Sequence, residues 1–226
     1  MKSTSLARAS FSAACLLLLA IAQNQAQEAE PASLRFVNAT GAEPPLTVRV
    51  NGESLQARGY RSGEATGRLE ISAGPCHIEL SQPVHGNLSL TLNLLAGDTR
   101  TVVALMEPAR HGADRRQPPK LACHVLETLP PGPPTQRRLR VLQTTPQAEL
   151  HLRLPGRDLR CTRLRAQTLT LAQPNPVIEH AGQPLGRLPF EEAGDGTLIL
   201  FTDPAGHLRR VFFLEPVAAS EPVDRE

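Results

Sequence analysis

Hydrophobic and polar residues alternate one for one along several short stretches of the chain. Leu46, Val48 and Val50 are separated by Thr47 and Arg49. Leu88, Leu90, Leu92 and Leu94 are separated by Ser89, Thr91 and Asn93, with Asn87 in front. Leu150, Leu152 and Leu154 are separated by His151 and Arg153. A period of two puts the apolar residues on one face of a β-strand and the polar ones on the other. Turn-forming pairs punctuate these stretches: Asn51-Gly52, Gly74-Pro75, Gly97-Asp98, Pro155-Gly156 and Gly194-Asp195. Long helical patterns are missing. Short alternating strands with frequent turns predict an all-β fold of antiparallel sandwich type, immunoglobulin- or prealbumin-like.

The pattern also recurs. Leu34-Arg35-Phe36-Val37-Asn38-Ala39-Thr40 opens one half, and Leu139-Arg140-Val141-Leu142-Gln143-Thr144-Thr145 opens another. An alternating strand follows each. Further on, Ala96-Gly97-Asp98 precedes the apolar run 101–105, as Ala193-Gly194-Asp195 precedes 197–201. Each half then ends in one more strand, at 121–126 and 208–214. Three landmarks in the same order predict a tandem duplication. The expected organisation is a first sandwich at 32–128, a Pro-rich linker at 129–136, a second sandwich at 137–217 and a disordered tail at 218–226. The polar stretch 109–119 reads as an exposed hairpin loop.

Residues 1–22 change the picture of where the protein works. A basic start (Lys2, Arg8), the apolar run Cys15-Leu16-Leu17-Leu18-Leu19 and then Ala20-Ile21-Ala22 have the layout of a secretory signal. Cleavage after Ala22 is expected, with Ala26 as a second site. The apolar run is shorter than the roughly 20 residues needed to span a bilayer, so no transmembrane segment is expected. The mature protein is then expected in the periplasm or outside the cell. The whole chain has 24 basic and 22 acidic residues. Removing Lys2 and Arg8 leaves 22 of each, so bulk charge gives no reason to expect nucleic acid.

The first half resembles a widespread, uncharacterised bacterial envelope domain of β-sandwich type. The matching residues are Arg35, Val37, Asn38 and Ala39, then Val48-Arg49-Val50-Asn51-Gly52, then Ala73-Gly74, and later Ala96-Gly97-Asp98. The likeness covers about 34–105. That family usually places an aromatic after the Ala-Gly turn, where this chain has Cys76, and the second half departs further, with Leu142-Gln143 for Val-Asn. The resemblance implies fold and compartment, since the family carries no established chemistry.

Candidate chemistry is sparse. Cys76-His77 and Cys123-His124 offer two Cys and two His, as a zinc site would need. Neighbouring residues on a strand point to opposite faces, which argues against one metal. A Cys76–Cys123 disulfide is the alternative, leaving Cys161 unpaired, and an oxidising compartment permits it. No Ser lies in Gly-x-Ser-x-Gly. His180, Glu179 and Asp195 could converge only through the fold. Gly194-Asp195-Gly196 lacks the alternate carboxylates of a calcium loop. With no Trp and one Tyr, the aromatic platforms of sugar-binding sandwiches are missing. No catalytic residues, metal or cofactor are therefore expected. Between Arg137 and Arg165 lie eight arginines against Glu149 and Asp158. Among them Arg138, Arg140 and Arg153 are expected to point outward, and with Arg163 and Arg165 they could form an anion-binding face. The expected function is that of an exported, non-enzymatic envelope protein with a structural or interaction role, whose partner is another envelope protein. The alternative is a protein that binds a polyanionic surface through those arginines.

Overall fold

The computed structural model describes residues 30–108, 119–130 and 132–215. The expected signal segment 1–22, the expected tail 218–226 and residues 109–118 of the expected loop lie outside them. The described residues hold sixteen strands and no helix.

The first eight strands are β1 (Ala32–Asn38), β2 (Thr47–Val50), β3 (Glu53–Ser54), β4 (Leu69–Ile71), β5 (Gly74–Gln82), β6 (Gly86–Leu94), β7 (Thr99–Glu107) and β8 (Lys120–Glu127). They form two sheets, β4-β1-β7-β8 and β3-β2-β5-β6. The next eight are β9 (Arg137–Gln143), β10 (Glu149–Leu154), β11 (Arg157–Thr162), β12 (Gln167–Leu171), β13 (Val177–His180), β14 (Gln183–Arg187), β15 (Gly194–Thr202) and β16 (Leu208–Leu214). Their sheets are β12-β9-β15-β16 and β11-β10-β13-β14. Every strand of the second half takes the place of the strand eight earlier in the first. The two halves therefore share one topology, as the repeated landmarks predict.

Each half is a sandwich with its own core. Leu34, Leu46, Val48, Ile78, Leu80, Val102 and Ala104 fill the first. Leu139, Val141, Leu150, Leu152, Ile178, Leu198 and Leu200 fill the second. In β2, β5 and β10 burial alternates along the strand, so the sheets they belong to turn a polar face outward.

The other two sheets break that rule. Strand β1 is buried at all seven positions, and the centres of β7, β9 and β15 are buried without alternation. The cause is a third core. Val37, Val103 and Leu126 of the first half meet Leu142, Ile199, Phe201 and Val211 of the second. The two sandwiches thus pack face to face through the β4-β1-β7-β8 and β12-β9-β15-β16 sheets. These sheets are also not purely antiparallel: β1 pairs with β7, and β9 with β15, in parallel. Strands covered on both faces are where parallel pairing is found.

Candidate functional site

The junction between the sandwiches is built by residues that alternate away from each half's own core. In β1, Leu34 and Phe36 point into the first core, so Arg35 and Val37 point to the junction. In β9, Leu139 and Val141 point into the second core, so Arg140 and Leu142 point to the junction. Arg35 lies beside Thr101 across its parallel pair, and Arg140 beside Thr197 across the equivalent one. The two arginines are therefore matching positions of the repeat.

One acid serves both. Glu215 Oε1 accepts from Arg140 Nη2 at 2.9 Å and from the Thr197 hydroxyl at 2.8 Å. Its Oε2 lies 3.7 Å from Arg35 Nη1. Arg140 Nε donates to Thr197 Oγ1 at 3.1 Å, and Nη1 donates to the carbonyl of Glu127. The Arg35 guanidinium lies 4.0 Å from the centre of the Phe213 ring, a cation–π contact. Burial lowers the pKa of both arginines, and Glu215 acts against that. Guanidinium groups start high enough to stay charged. Arg35 Nη1 has no hydrogen-bond partner among the described residues.

At the other end of β15 and β16 a groove of about 950 Å³ opens on the seam. The first half supplies Pro45, Arg61 and Gly63, and the second supplies Leu185, Phe201 and Leu208. Two glycines fit the halves together here. Gly41 has φ +67°, and a Cβ on it would stand 1.9 Å from the carbonyl oxygen of Thr202. A Cβ on Gly63 would come within 3.3 Å of the Phe201 ring. Asp203 shapes the far rim, accepting from the N–H groups of Ala205 (3.0 Å) and His207 (2.8 Å) and from Arg209 Nε (2.8 Å). Arg210 is held by the carbonyls of Leu185 and Arg187. Arg61 makes no ion pair with a described residue. The groove therefore offers an apolar floor edged by both signs of charge: Arg61 and Glu43, neither in an ion pair with a described residue, and Arg209 paired with Asp203.

The residues singled out in the sequence are scattered. Among the described residues Cys76, Cys123 and Cys161 are free thiols, which corrects the expected Cys76–Cys123 disulfide. Cys76 lies on β5 and Cys123 on β8, in facing sheets. Facing sheets stand about 10 Å apart, further than the roughly 7 Å between Cα atoms that a disulfide tolerates. Burial raises the pKa of all three thiols, that of Cys161 to about 11. Among the described residues no three His, Cys, Asp or Glu are grouped to hold a metal. His180 and Glu179 lie on β13, where His180 Nδ1 meets the carbonyl of His151 at 2.9 Å. Asp195 lies on β15 in the other sheet, gripped by Arg138.

The expected arginine face is divided between three places. Arg138 is tied to Asp195 at 2.7 Å through Nε and to the Pro130 carbonyl. Arg140 is only 5% exposed, so its expected outward exposure is corrected. It does point away from the second core, but the first sandwich covers it. Arg163 donates to the carbonyls of Thr145 and Met106, linking the halves. Arg153 is exposed on the outer face of β10, 3.7 Å from Asp158, and Arg165 is exposed after β11. On that same outer face Arg160 pairs with Glu149 at 2.7 Å. Asp158 and Glu149 thus interleave with Arg153 and Arg160, while Arg165 makes no ion pair with a described residue.

The junction and groove were not singled out from the sequence. A signal for them exists in the unbroken apolar runs Val102-Val103-Ala104-Leu105 and Leu198-Ile199-Leu200-Phe201, which imply strands covered on both faces. Comparison of the chain with protein-family models and with curated proteins returns no match.

Proposed function

We propose that this is an exported, non-enzymatic envelope protein that acts by holding another protein, and that the groove along the seam receives the partner. The signal-like start supports export. The observation that carries the reading is the groove itself: its floor is Phe201, Leu185 and Leu208, and its edge carries unpaired charges of both signs, Arg61 and Glu43. An apolar floor edged by an unpaired guanidinium and an unpaired carboxylate suits an extended peptide that sets an apolar side chain between an acidic and a basic one. The polyanion alternative has less support, because Arg138, Arg140 and Arg163 are engaged within the protein.

The test is capture from envelope extract by the mature chain, compared with Arg61→Glu and Leu208→Asp variants. A partner that is retained by the parent and lost by both variants is the expected result. Reversing a rim charge against an acidic partner should weaken retention tenfold or more, on the order of 1.5 kcal/mol or above. Equal retention by all three proteins would remove the groove from the interaction.

A further inference from the structure

Strand β6 stands at the outer edge of the β3-β2-β5-β6 sheet. Among the described residues no strand pairs with its free side. It differs from the other edges. Strands β3, β4 and β12 are short, while β8, β11, β14 and β16 carry charged residues or proline. Strand β6 is nine residues long and has neither. An edge that is long, flat and uncharged is a template for another strand.

Its sequence says which strand. Asn87-Leu88-Ser89-Leu90-Thr91-Leu92-Asn93 reads the same from both ends, apart from Ser in place of Thr. An antiparallel pair centred on Leu90 would set Leu88 opposite Leu92 of the second copy, Ser89 opposite Thr91 and Asn87 opposite Asn93. Leu88, Leu90 and Leu92 are half-buried against the first core, so a second row of leucines would complete their cover. Ser–Thr pairs on the other face are a favourable cross-strand match.

A second observation agrees. Val84 and Leu95 are the most exposed large apolar side chains among the described residues, at 63% each. They flank β6, one at either end. The same two-fold axis brings the turn that carries Val84 beside the segment of the other copy that carries Leu95. We infer that the protein dimerises through β6, joining two four-stranded sheets into one of eight strands. This contact is separate from the groove, and either can fail without the other.

Sedimentation of the mature chain over a range of concentrations tests it. The parent should move from monomer to dimer as concentration rises. Ser89 and Thr91 point outward, so changing them should leave the fold intact, which a thermal melt checks. The double variant S89K/T91K would face lysine with lysine and should be monomeric, as should S89E/T91E. Mixed together, the two should form a heterodimer. A parent that stays monomeric at every attainable concentration overturns the inference. So does a lysine variant that dimerises as well as the parent, or a mixture that fails to associate.

Discussion

Glu215 is a single carboxylate between two guanidinium groups that are largely shielded from water. Removing one partner of a buried ionic set leaves uncompensated charge, at a cost of about 3–5 kcal/mol. Glu215→Gln is expected to approach that loss, read as a fall in the urea midpoint. Replacing all three with apolar residues of similar volume (Arg35→Leu, Arg140→Met and Glu215→Leu) should recover most of it, because no stranded charge then remains. Gly41 makes a different demand. Its positive φ and its closeness to the Thr202 carbonyl leave no room for a methyl group. Gly41→Ala should cost about 1–3 kcal/mol from backbone strain, with the clash in addition. A weakened junction with both sandwich cores intact would appear as faster hydrogen exchange in the junction strands β1, β7, β9 and β15, with β2, β5, β10 and β13 unchanged.

Among the elements, the turn from β6 to β7 carries the clearest pH dependence. The carboxyl of Asp98 is held below the ordinary carboxylate range, chiefly by the N–H of Leu95, while burial opposes and Arg100 assists. A depressed folded pKa contributes stability above the unfolded value of about 3.9, and that stability disappears as pH falls through the folded pKa. Stability should therefore be insensitive to this group from neutrality down to about pH 4 and should decline below it. Asp98→Asn should flatten the acid limb of a plot of urea midpoint against pH. The outer strands were legible in the sequence because one of their faces meets water: Leu46–Val50 and Leu150–Leu154 alternate cleanly. Arg140 was misleading for a physical reason. Alternation says that it points away from its own core, but only the arrangement of the two halves says what lies on that side. Cys76 and Cys123 failed similarly, since shared membership of one core does not say which sheet each strand joins.

At the scale of the molecule, the third core makes the two sandwiches one cooperative unit. Calorimetry should give a single transition in which the calorimetric and van't Hoff enthalpies agree. Ile199→Asp would bury a charge in that core and should split the transition into two, since each sandwich keeps its own interior. The common strand order of the two halves was legible from ordered landmarks. The packing of one half on the other was not, because it rests on Val37, Val103 and Leu126 meeting Leu142, Ile199 and Val211, which no local pattern connects.

The sharing of one acid by two equivalent arginines has a consequence for the growing chain. Strand registers place Thr128 in the first half where Glu215 stands in the second. Synthesis proceeds from the N-terminus, so the first sandwich is complete while its acid has not yet been made. During that interval it exposes Val37, Val103 and Leu126, an apolar patch able to stick to another unfinished copy. Arg35 borders that patch, in the row that runs through Thr101 to Leu126, and two copies brought together there would set guanidinium against guanidinium with no carboxylate between them. Arg35 is then expected to oppose the pairing of unfinished copies until the second half arrives. Residues 30–128 alone should not associate through this patch. With β6 kept apart by S89K/T91K, Arg35→Leu should turn the fragment from monomer to dimer in sedimentation.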